Sequence, residues 1–200
     1  MATILPVMEQ FYTIQGEGAY SGHAAYFIRL GGCDVGCVWC DVKESWDADL
    51  HEKVTVEDIV LQAKQHPSRI AVITGGEPAM YNLTLLTEAL RKEGFRVHVE
   101  TSGAYPLIGH FDWITFSPKK FKAPLKEVSH IAHELKIIAY NKSDFEWAET
   151  HAKEVSDICK LYLQPEWGKH DKMLPIILDY VKENPVWSIS LQTHKFMNIP

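Results

Sequence analysis

The stretch AAYFIRLGGCDVGCVWCD, residues 24–41, places a short apolar run directly before a loop that holds three of the chain's four cysteines. The run AAYFIRL (24–30) is typical of a buried β-strand. The cysteines that follow are spaced CxxxCxxC, with Trp39 before the last and Asp41 after it. The stretch therefore predicts a strand whose carboxyl end carries a site built on three thiols.

Segments of two kinds alternate along the rest of the chain. Strands are predicted at 24–30, 69–74, 95–100, 112–117, 133–139, 157–164 and 186–194, and helices at 54–65, 82–94, 142–155 and 175–184, the last with Pro175 in its first turn. This alternation favours right-handed βαβ units and a parallel sheet. A closed barrel typically needs ~250 residues, so we predict one α/β domain over residues 1–200, a partial, open (β/α) TIM-like barrel with a shortened helix set.

Polar, glycine- or proline-bearing sequence follows every predicted strand but one. After the cysteine loop come TGGEP (74–78), ETSG (100–103), SPK (117–119) and QPEWG (164–168). Because the carboxyl ends of parallel strands meet at one edge of the sheet, these segments are expected to line a single mouth that carries the chemistry.

The composition excludes several classes of protein. A net charge of −6 argues against a nucleic-acid binder, and the one cationic run is local: Lys119, Lys120, Lys122 and Lys126. No apolar run approaches the ~20 residues of a membrane span, and no signal peptide is apparent. We expect a cytoplasmic protein without a membrane partner, in which Cys159 is a plain buried thiol.

Three thiolates suit an iron–sulfur cluster with one open iron. Such clusters usually have four cysteine ligands, so a loop that supplies three leaves one iron of a [4Fe–4S] cube free for a substrate or cofactor. Gly31, Gly32 and Gly36 give the loop backbone freedom to wrap a cube. Two alternatives stay open from the residues alone: a zinc site completed by a distant histidine, and a cluster of redox-active thiols.

With this motif the chain resembles the radical S-adenosylmethionine (SAM) enzymes, in which the open iron binds the cofactor's amino and carboxylate groups. Further segments in order are FYTIQGEG (11–18), FIRLGGC (27–33), CDVKESW (40–46), TGGEP, ETSG, FSPK (116–119), ELKII (134–138), LQP (163–165) and QTHKFMNIP (192–200). Together these segments are similar to the 7-carboxy-7-deazaguanine synthase family, over nearly the whole chain.

The resemblance implies a ring-contracting lyase of the route to queuosine and other deazapurines. A 5′-deoxyadenosyl radical would take a hydrogen from C6 of 6-carboxy-5,6,7,8-tetrahydropterin, which then rearranges and loses ammonia. No side chain is expected to act as the catalytic group, because the cofactor carries the hard chemistry. The resemblance also implies a homodimer and an electron donor such as flavodoxin or ferredoxin.

The same resemblance assigns the site residues. The [4Fe–4S] ligands would be Cys33, Cys37 and Cys40. The SAM site would comprise Trp39, Cys40, Asp41, Gly76, Ser102, Ser117, Pro118, Lys119, Gln164, Pro165, Glu166 and Trp167. The pterin site would comprise Ile14, Gln15, Gly16, Arg29, Thr74 and Pro200. Arg29 would pair with the substrate carboxylate, for which its planar fork is suited.

Simpler roles are available for several of these residues. Arg29 could form an ordinary strand-end salt bridge, and Asp41 could cap a turn. His194 and Lys195 could be surface residues, although the position of QTHK after a strand favours the site. The segment GGEP occurs in many strand-to-helix turns.

One position departs from the family pattern. The family commonly has Thr after Cys-Asp, where its hydroxyl joins a Mg²⁺ ion, and this chain has Val42. Valine offers no oxygen to a hard cation, so a conventional magnesium site is not expected. Two alternatives remain open: Asp41 or Glu44 supplies the missing oxygen, or Arg29 and nearby lysines balance the carboxylate alone.

Two other functions compete with the synthase. A glycyl-radical-enzyme activase also carries CxxxCxxC but needs a docking surface for its target protein. A non-catalytic iron–sulfur protein would normally supply all four cluster ligands itself, and has no need of the other polar strand ends.

Overall fold

The structure, a computed structural model, describes residues 3–200 and is organised around a nine-stranded sheet. Its strands are β1 (Ile4–Ile14), β2 (Ala24–Leu30), β3 (Glu52–Thr55), β4 (Ile70–Gly75), β5 (Arg96–Thr101), β6 (Trp113–Phe116), β7 (Glu134–Ala139), β8 (Lys160–Pro165) and β9 (Trp187–Ile189). The order is β3-β1-β2-β4-β5-β6-β7-β8-β9. In this spatial order, neighbouring strands from β2 across to β9 are parallel. Strand β1 is antiparallel to both of its neighbours, β2 and β3.

Helices cover the apolar side chains of this sheet. They are α1 (Val56–Ala63), α2 (Thr84–Lys92), α3 (Lys126–Ile131), α4 (Asp144–Ala152), α5 (His170–Glu183) and α6 (Thr193–Met197). In α1, for example, the hydroxyl of Thr55 accepts a bond from the backbone N–H of Asp58 and caps the helix. Val56, Ile59, Val60 and Ala63 of α1 are all buried. Burial of one apolar face against the sheet stabilises such short helices.

The core has two apolar clusters side by side. One joins β1, β2, β4 and β5 to α1 and α2, with Ile28, Ile73 and Leu86 at its centre. The other joins β6 to β9 with α3, α4 and α5 around Phe116 and Leu135. Both clusters lie beside the sheet, so the carboxyl ends of the parallel strands stay free for polar side chains.

The predicted fold class is confirmed. The sheet is open, because β3 and β9 are its two edges, and six α-helices accompany nine strands within residues 3–200. The six predicted strands from residue 24 to residue 164 each overlap an observed one. Among residues 3–200, no helix combines the length and the apolarity that a bilayer crossing requires.

Four elements were missed. Strand β1 holds Pro6, which lacks a backbone N–H and is unusual inside a sheet, so the sequence did not suggest a strand there. Strand β3 was taken as the start of the first helix. Helices α3 and α6 have six and five residues, too few for a periodic pattern.

Two predictions about the last part of the chain were wrong. Helix α5 begins at His170, so Pro175 lies inside it rather than in its first turn. Because proline lacks a backbone N–H, the carbonyl of Asp171 has no helical hydrogen bond from position 175. Asp171 is exposed, so water can donate a hydrogen bond to this carbonyl instead. The closing strand ends at Ile189, and the segment after it turns back across the sheet edge to form α6.

Candidate active site

One cavity lies at the carboxyl edge of the parallel strands. Its lining includes side chains from the ends of β2, β4, β5, β7 and β8 and from the loops after them. The residues predicted for the site that line it are Ile14, Gln15, Gly16, Arg29, Cys33, Cys37, Trp39, Cys40, Asp41, Thr74, Gly76, Ser102, Ser117, Lys119, Gln164, Pro165, Glu166, Trp167 and Pro200. Of the predicted residues, Pro118 is buried beside the cavity and does not line it.

The three cysteines of the loop lie together at this edge. Cys37 is buried, and Cys33 and Cys40 pack with it against Ala104 and Tyr105 of the loop after β5. Burial raises the pKa of the Cys37 thiol to about 11 and also raises that of Cys33. Both thiols are therefore protonated in the metal-free chain, and only a bound cation would hold them as thiolates.

The donor set fits a cluster better than a single ion. Among residues 3–200, no three His, Cys, Asp or Glu side chains converge closely enough to bind one metal ion. Each cysteine of a [4Fe–4S] cube binds a different iron, so its ligands need not converge on one point. Three thiols that line an open cavity would hold three irons of such a cluster and leave one iron without a protein ligand.

The GGEP turn holds the cysteine loop in place. A Cβ added at Gly76 would lie 2.3 Å from the carbonyl oxygen of Gly32 and 2.7 Å from the Cβ of Cys33. The next residue, Glu77, donates its backbone N–H to that same Gly32 oxygen at 2.8 Å. Glycine is required at position 76 because two backbones touch there, a reason that the sequence did not reveal.

The carboxylate of Glu77 joins this turn to the ETSG segment. It is 1% exposed and accepts hydrogen bonds from the Thr101 hydroxyl at 2.6 Å and from the Ser102 backbone N–H at 2.8 Å. The backbone N–H of Ala79 and the Ser102 hydroxyl also donate to it. Glu77 thus fixes the ends of β4 and β5 relative to the cysteine loop.

A buried lysine forms the polar floor of the cavity. The ammonium of Lys136 on β7 lies 2.8 Å from a carboxylate oxygen of Glu100 and also binds Glu17. Burial by itself lowers the pKa of Lys136, but Glu100, Glu17 and Glu134 outweigh it and raise the pKa. Burial by itself raises the pKa of Glu17, and Lys136 outweighs it and lowers the pKa to about 2. Within this Glu17–Lys136–Glu100 triad, Lys136 is therefore held as an ammonium and Glu17 as a carboxylate.

Residues 192–200, here called the C-terminal strap, cross the mouth of the cavity. The backbone N–H of Thr193 donates to the Gly16 carbonyl at 2.9 Å, and the Thr13 hydroxyl donates to the Pro200 carbonyl at 3.1 Å. A Cβ at Gly16 would lie 2.2 Å from the imidazole Nδ1 of His194. Burial lowers the pKa of His194, so this ring is neutral near pH 7.

Arg29 uses only part of its guanidinium group in a salt bridge. Its Nε donates to the carboxylate of Glu9 at 2.6 Å, and its guanidinium lies 6.0 Å from the Phe11 ring centroid. The remaining guanidinium nitrogens have no partner among residues 3–200, and Arg29 lines the cavity. The strand-end salt bridge therefore exists, and it leaves the outer edge of the guanidinium free for a carboxylate.

Several lining residues belong to the motifs at the strand ends but were not among the predicted site residues. Glu17 belongs to QGEG, Glu77 to GGEP, Glu100 to ETSG, Lys136 to ELKII and His194 to QTHK. The charged residue in each motif was a visible signal. The residue that it contacts could not be predicted, because that residue lies at the end of a different strand.

Comparison with known proteins agrees with this geometry. The family model described as "Radical SAM superfamily" matches residues 27–146. The chain is 56% identical over 197 residues to the 7-carboxy-7-deazaguanine synthase of Flavobacterium psychrophilum, covering 98% of this chain and 93% of that one. The chain belongs to the 7-carboxy-7-deazaguanine synthase family. It is therefore a radical SAM enzyme.

Other members of the 7-carboxy-7-deazaguanine synthase family match over similar lengths. The synthase of a Synechocystis species is 48% identical over 194 residues, covering 97% of this chain and 93% of its own. The crystal structure of QueE from Escherichia coli superposes with a TM-score of 0.83 at 32% identity, covering 94% of this chain and 93% of that one. Membership in this family implies a [4Fe–4S] cluster and SAM, which the three-thiol donor set fits.

Proposed function

We propose that this cavity converts 6-carboxy-5,6,7,8-tetrahydropterin to 7-carboxy-7-deazaguanine with loss of ammonia, on the route to queuosine and other deazapurines. The observation that carries the proposal is that the three thiols of CxxxCxxC and the free edge of Arg29 line one cavity. A radical must be generated within reach of its substrate and away from competing groups, so the two sites must share one enclosed space.

Cys33, Cys37 and Cys40 would hold three irons of the cluster, and the fourth would take the amino and carboxylate groups of SAM. When bound, these cofactors supply a 5′-deoxyadenosyl radical, which removes the hydrogen atom from C6 of the pterin. The proposed SAM contacts are Trp39, Cys40, Asp41, Gly76, Ser102, Ser117, Lys119, Gln164, Pro165, Glu166 and Trp167. Pro118, which does not line the cavity, would act only by shaping the loop between its neighbours.

The substrate would be held between opposite charges. Arg29 would bind its carboxylate through the guanidinium edge that Glu9 leaves free. The carboxylates of Glu17 and Glu100, which Lys136 holds side by side, would accept hydrogen bonds from pterin N–H groups. The remaining pterin contacts are proposed for Ile14, Gln15, Gly16, Thr74 and Pro200, all in the lining.

His194 lines the cavity beside Gly16. Burial lowers the pKa of its imidazole, so it would contact the pterin as a neutral hydrogen-bonding group and not as the catalytic group.

The family resemblance extends the proposal to the rest of the protein. We propose a single domain over residues 1–200, a homodimer in the cytoplasm, and an electron donor such as flavodoxin or ferredoxin. Sedimentation at micromolar concentration tests the dimer. We propose that turnover does not require magnesium. The Val42 side chain, which lines the cavity, has no oxygen, and the Asp41 carboxylate already binds Lys195 at 2.8 Å.

One anaerobic incubation tests the function. Reconstituted protein, reductant, SAM and 6-carboxytetrahydropterin are mixed with a chelator present, and the products are read by mass spectrometry. We expect 7-carboxy-7-deazaguanine. Formation of 5′-deoxyadenosine alone, both with the chelator and after adding magnesium, would contradict the assigned substrate. Absence of both products from protein with a full cluster would favour the activase or carrier function.

A further inference from the structure

A buried serine lies behind the wall of the cavity and contacts a side chain of the proposed SAM site. Ser190, the residue after β9, is 2% exposed, and its backbone N–H donates to the carbonyl of Leu163 on β8 at 2.9 Å. Its hydroxyl donates to the Oε1 atom of Gln164 at 2.6 Å. Gln164 lines the cavity, whereas Ser190 is not among the lining residues. Ser190 therefore acts on the cavity through the Gln164 amide.

The hydrogen bonds of Ser190 decide which end of that amide it holds. A serine hydroxyl has one proton and two lone pairs. The backbone N–H of Gly18, in the QGEG segment, donates to the Ser190 oxygen at 2.9 Å. Because a backbone N–H can only donate, it occupies a lone pair, and the hydroxyl proton needs an acceptor of its own in this buried place. Gln164 supplies that acceptor, so its carbonyl oxygen is turned toward Ser190 and its NH₂ group is turned away.

The backbone that directs the serine is itself held in place. The N–H of the next residue, Ala19, donates to the buried carboxylate of Glu134 at 2.9 Å. Gly18 has a φ of +61°, and a Cβ added there would overlap the Glu134 carboxylate. The Gly18 N–H is therefore fixed against the Ser190 oxygen, and the serine hydroxyl keeps one orientation.

The NH₂ group of Gln164 is the free end of this amide. Its Nε2 atom has no hydrogen-bond partner among residues 3–200. In the same part of the chain, the fully buried side-chain N and O atoms that lack a partner all belong to histidines. The Nε2 atom is therefore not fully buried, and the space that Gln164 lines is the cavity. Its N–H groups are consequently available to a ligand there.

We infer that Ser190 is a positioning residue for SAM, which holds the Gln164 amide so that its N–H groups donate to an acceptor atom of the cofactor. The inference deepens the proposed function and rests on the SAM contact proposed there for Gln164. SAM offers such acceptors in its carboxylate, ribose and adenine groups. Without the serine hydroxyl the amide can rotate by half a turn and present its carbonyl oxygen instead, so binding must also restrict that rotation.

The test measures SAM binding to the reconstituted, cluster-loaded protein by anaerobic equilibrium dialysis, with no pterin and no reductant present. The wild type, Ser190→Ala, Gln164→Ala and the double variant form a double-mutant cycle. The matched control is Ser129→Ala, because Ser129 is also buried and its hydroxyl donates to the carbonyl of Lys126 on α3, away from the cavity lining. Iron and sulfide content and urea unfolding are measured for each variant.

We expect Ser190→Ala to bind SAM about tenfold more weakly than the wild type, with full iron and sulfide. Gln164→Ala has no amide to orient, so adding Ser190→Ala to it should change the dissociation constant for SAM by less than about twofold. Ser129→Ala loses a buried hydroxyl as well, and it should bind SAM as the wild type does.

Wild-type affinity for SAM in Ser190→Ala would overturn the inference. An equal loss of affinity with and without Gln164 would also overturn it, because Ser190 would then support only the wall of the cavity. Wild-type affinity in Gln164→Ala would remove the SAM contact of Gln164, and the inference with it. Since the dialysis contains no pterin, failure of the protein to convert the pterin leaves this result unaffected.

Discussion

The ammonium of Lys195 lies 2.8 Å from the carboxylate of Asp41, which joins the C-terminal strap to the residue after the third cysteine. The same ammonium lies 5.0 Å from the Trp167 ring centroid. Two residues before Lys195, the Thr193 hydroxyl donates to the carbonyl of Gly16, just after β1, and the last residue of the strap, Pro200, accepts a bond from Thr13 of β1. The strap therefore spans the gap between the antiparallel part of the sheet and the cysteine loop.

Removal of this ion pair should loosen the strap without unfolding the protein. In Lys195→Met we expect faster amide hydrogen exchange in residues 192–200, by a factor of about five or less, because a partly exposed pair contributes about 1 kcal/mol or less. Lys182→Met is the control, since it breaks an exposed pair with Asp179 on α5. Equal exchange in the wild type and Lys195→Met would show that the pair does not hold the strap.

Gly16→Ala should disturb the substrate side of the cavity and spare the cluster. The new Cβ would lie 2.7 Å from the backbone nitrogen of His194, so the strap must shift. We expect the KM for the pterin to rise about tenfold with cluster absorbance unchanged. At Gly168 an added Cβ would meet only the Glu166 carboxylate, at 3.4 Å, and Gly168→Ala should leave the pterin KM unaltered. A wild-type KM in Gly16→Ala would refute the close contact.

Cluster absorbance should distinguish the three loop cysteines, as ligands, from Cys159. Replacement of Cys33, Cys37 or Cys40 by Ala should abolish the broad absorbance near ~400 nm of an assembled cluster. Cys159 belongs to the apolar cluster beneath β7 and β8, so Cys159→Ala should retain full iron and sulfide. Full cluster content in any of the three loop variants would remove that cysteine from the ligand set.

Val42→Thr should create a response to magnesium. Val42 lines the cavity beside Asp41, and a threonine there would add the oxygen that a hard cation needs. We expect turnover of the wild type to be unaffected by chelator, and turnover of Val42→Thr to rise on adding Mg²⁺. Val42→Ile, which adds bulk but no oxygen, is the matched control. An identical magnesium response in wild type and Val42→Thr would contradict this role for position 42.

His98 should make stability depend on pH in mildly acidic solution. It is 3% exposed, and burial lowers its pKa from 6.5 to about 4. Between these values the unfolded chain binds a proton that the folded chain does not, so the free energy of unfolding falls by about 1.4 kcal/mol for each unit of decreasing pH.

In His98→Phe the contribution of His98 should disappear. The free energy of unfolding should therefore decrease less steeply between pH 6.5 and pH 4 than in the wild type. Urea unfolding at a series of pH values measures it. His110→Phe is the matched control for the loss of a histidine, because the His110 side chain is 58% exposed. Parallel curves for His98→Phe and the wild type would show that His98 titrates normally.

Much of the fold could be read from local patterns. The parallel strands β2 and β4 to β8 are short apolar runs, and all but one are followed by polar, glycine- or proline-bearing sequence, which is why these strands and their parallel arrangement were predictable. Strand β1 was not, because Pro6 interrupts its pattern and its pairing with β2 and β3 is decided by the rest of the sheet. The short helix α6 likewise depends on contacts with Gly16 rather than on its own periodicity.

The sequence by itself determined the chemistry that the site can support. Cys33, Cys37 and Cys40 lie within eight consecutive residues, so one loop carries the ligands whatever the rest of the chain does. The motifs at the strand ends also follow from chain order, because parallel strands place their carboxyl ends at one edge.

Only the tertiary structure decided how the charges of the site are balanced. Lys136 and Glu17 are separated by 119 residues, and Lys195 and Asp41 by 154. A buried ammonium is tolerated only when carboxylates from other elements surround it, and no local pattern specifies which carboxylates those are. The Glu17–Lys136–Glu100 triad and the strap over the cavity therefore exist only once the sheet has brought distant strand ends together.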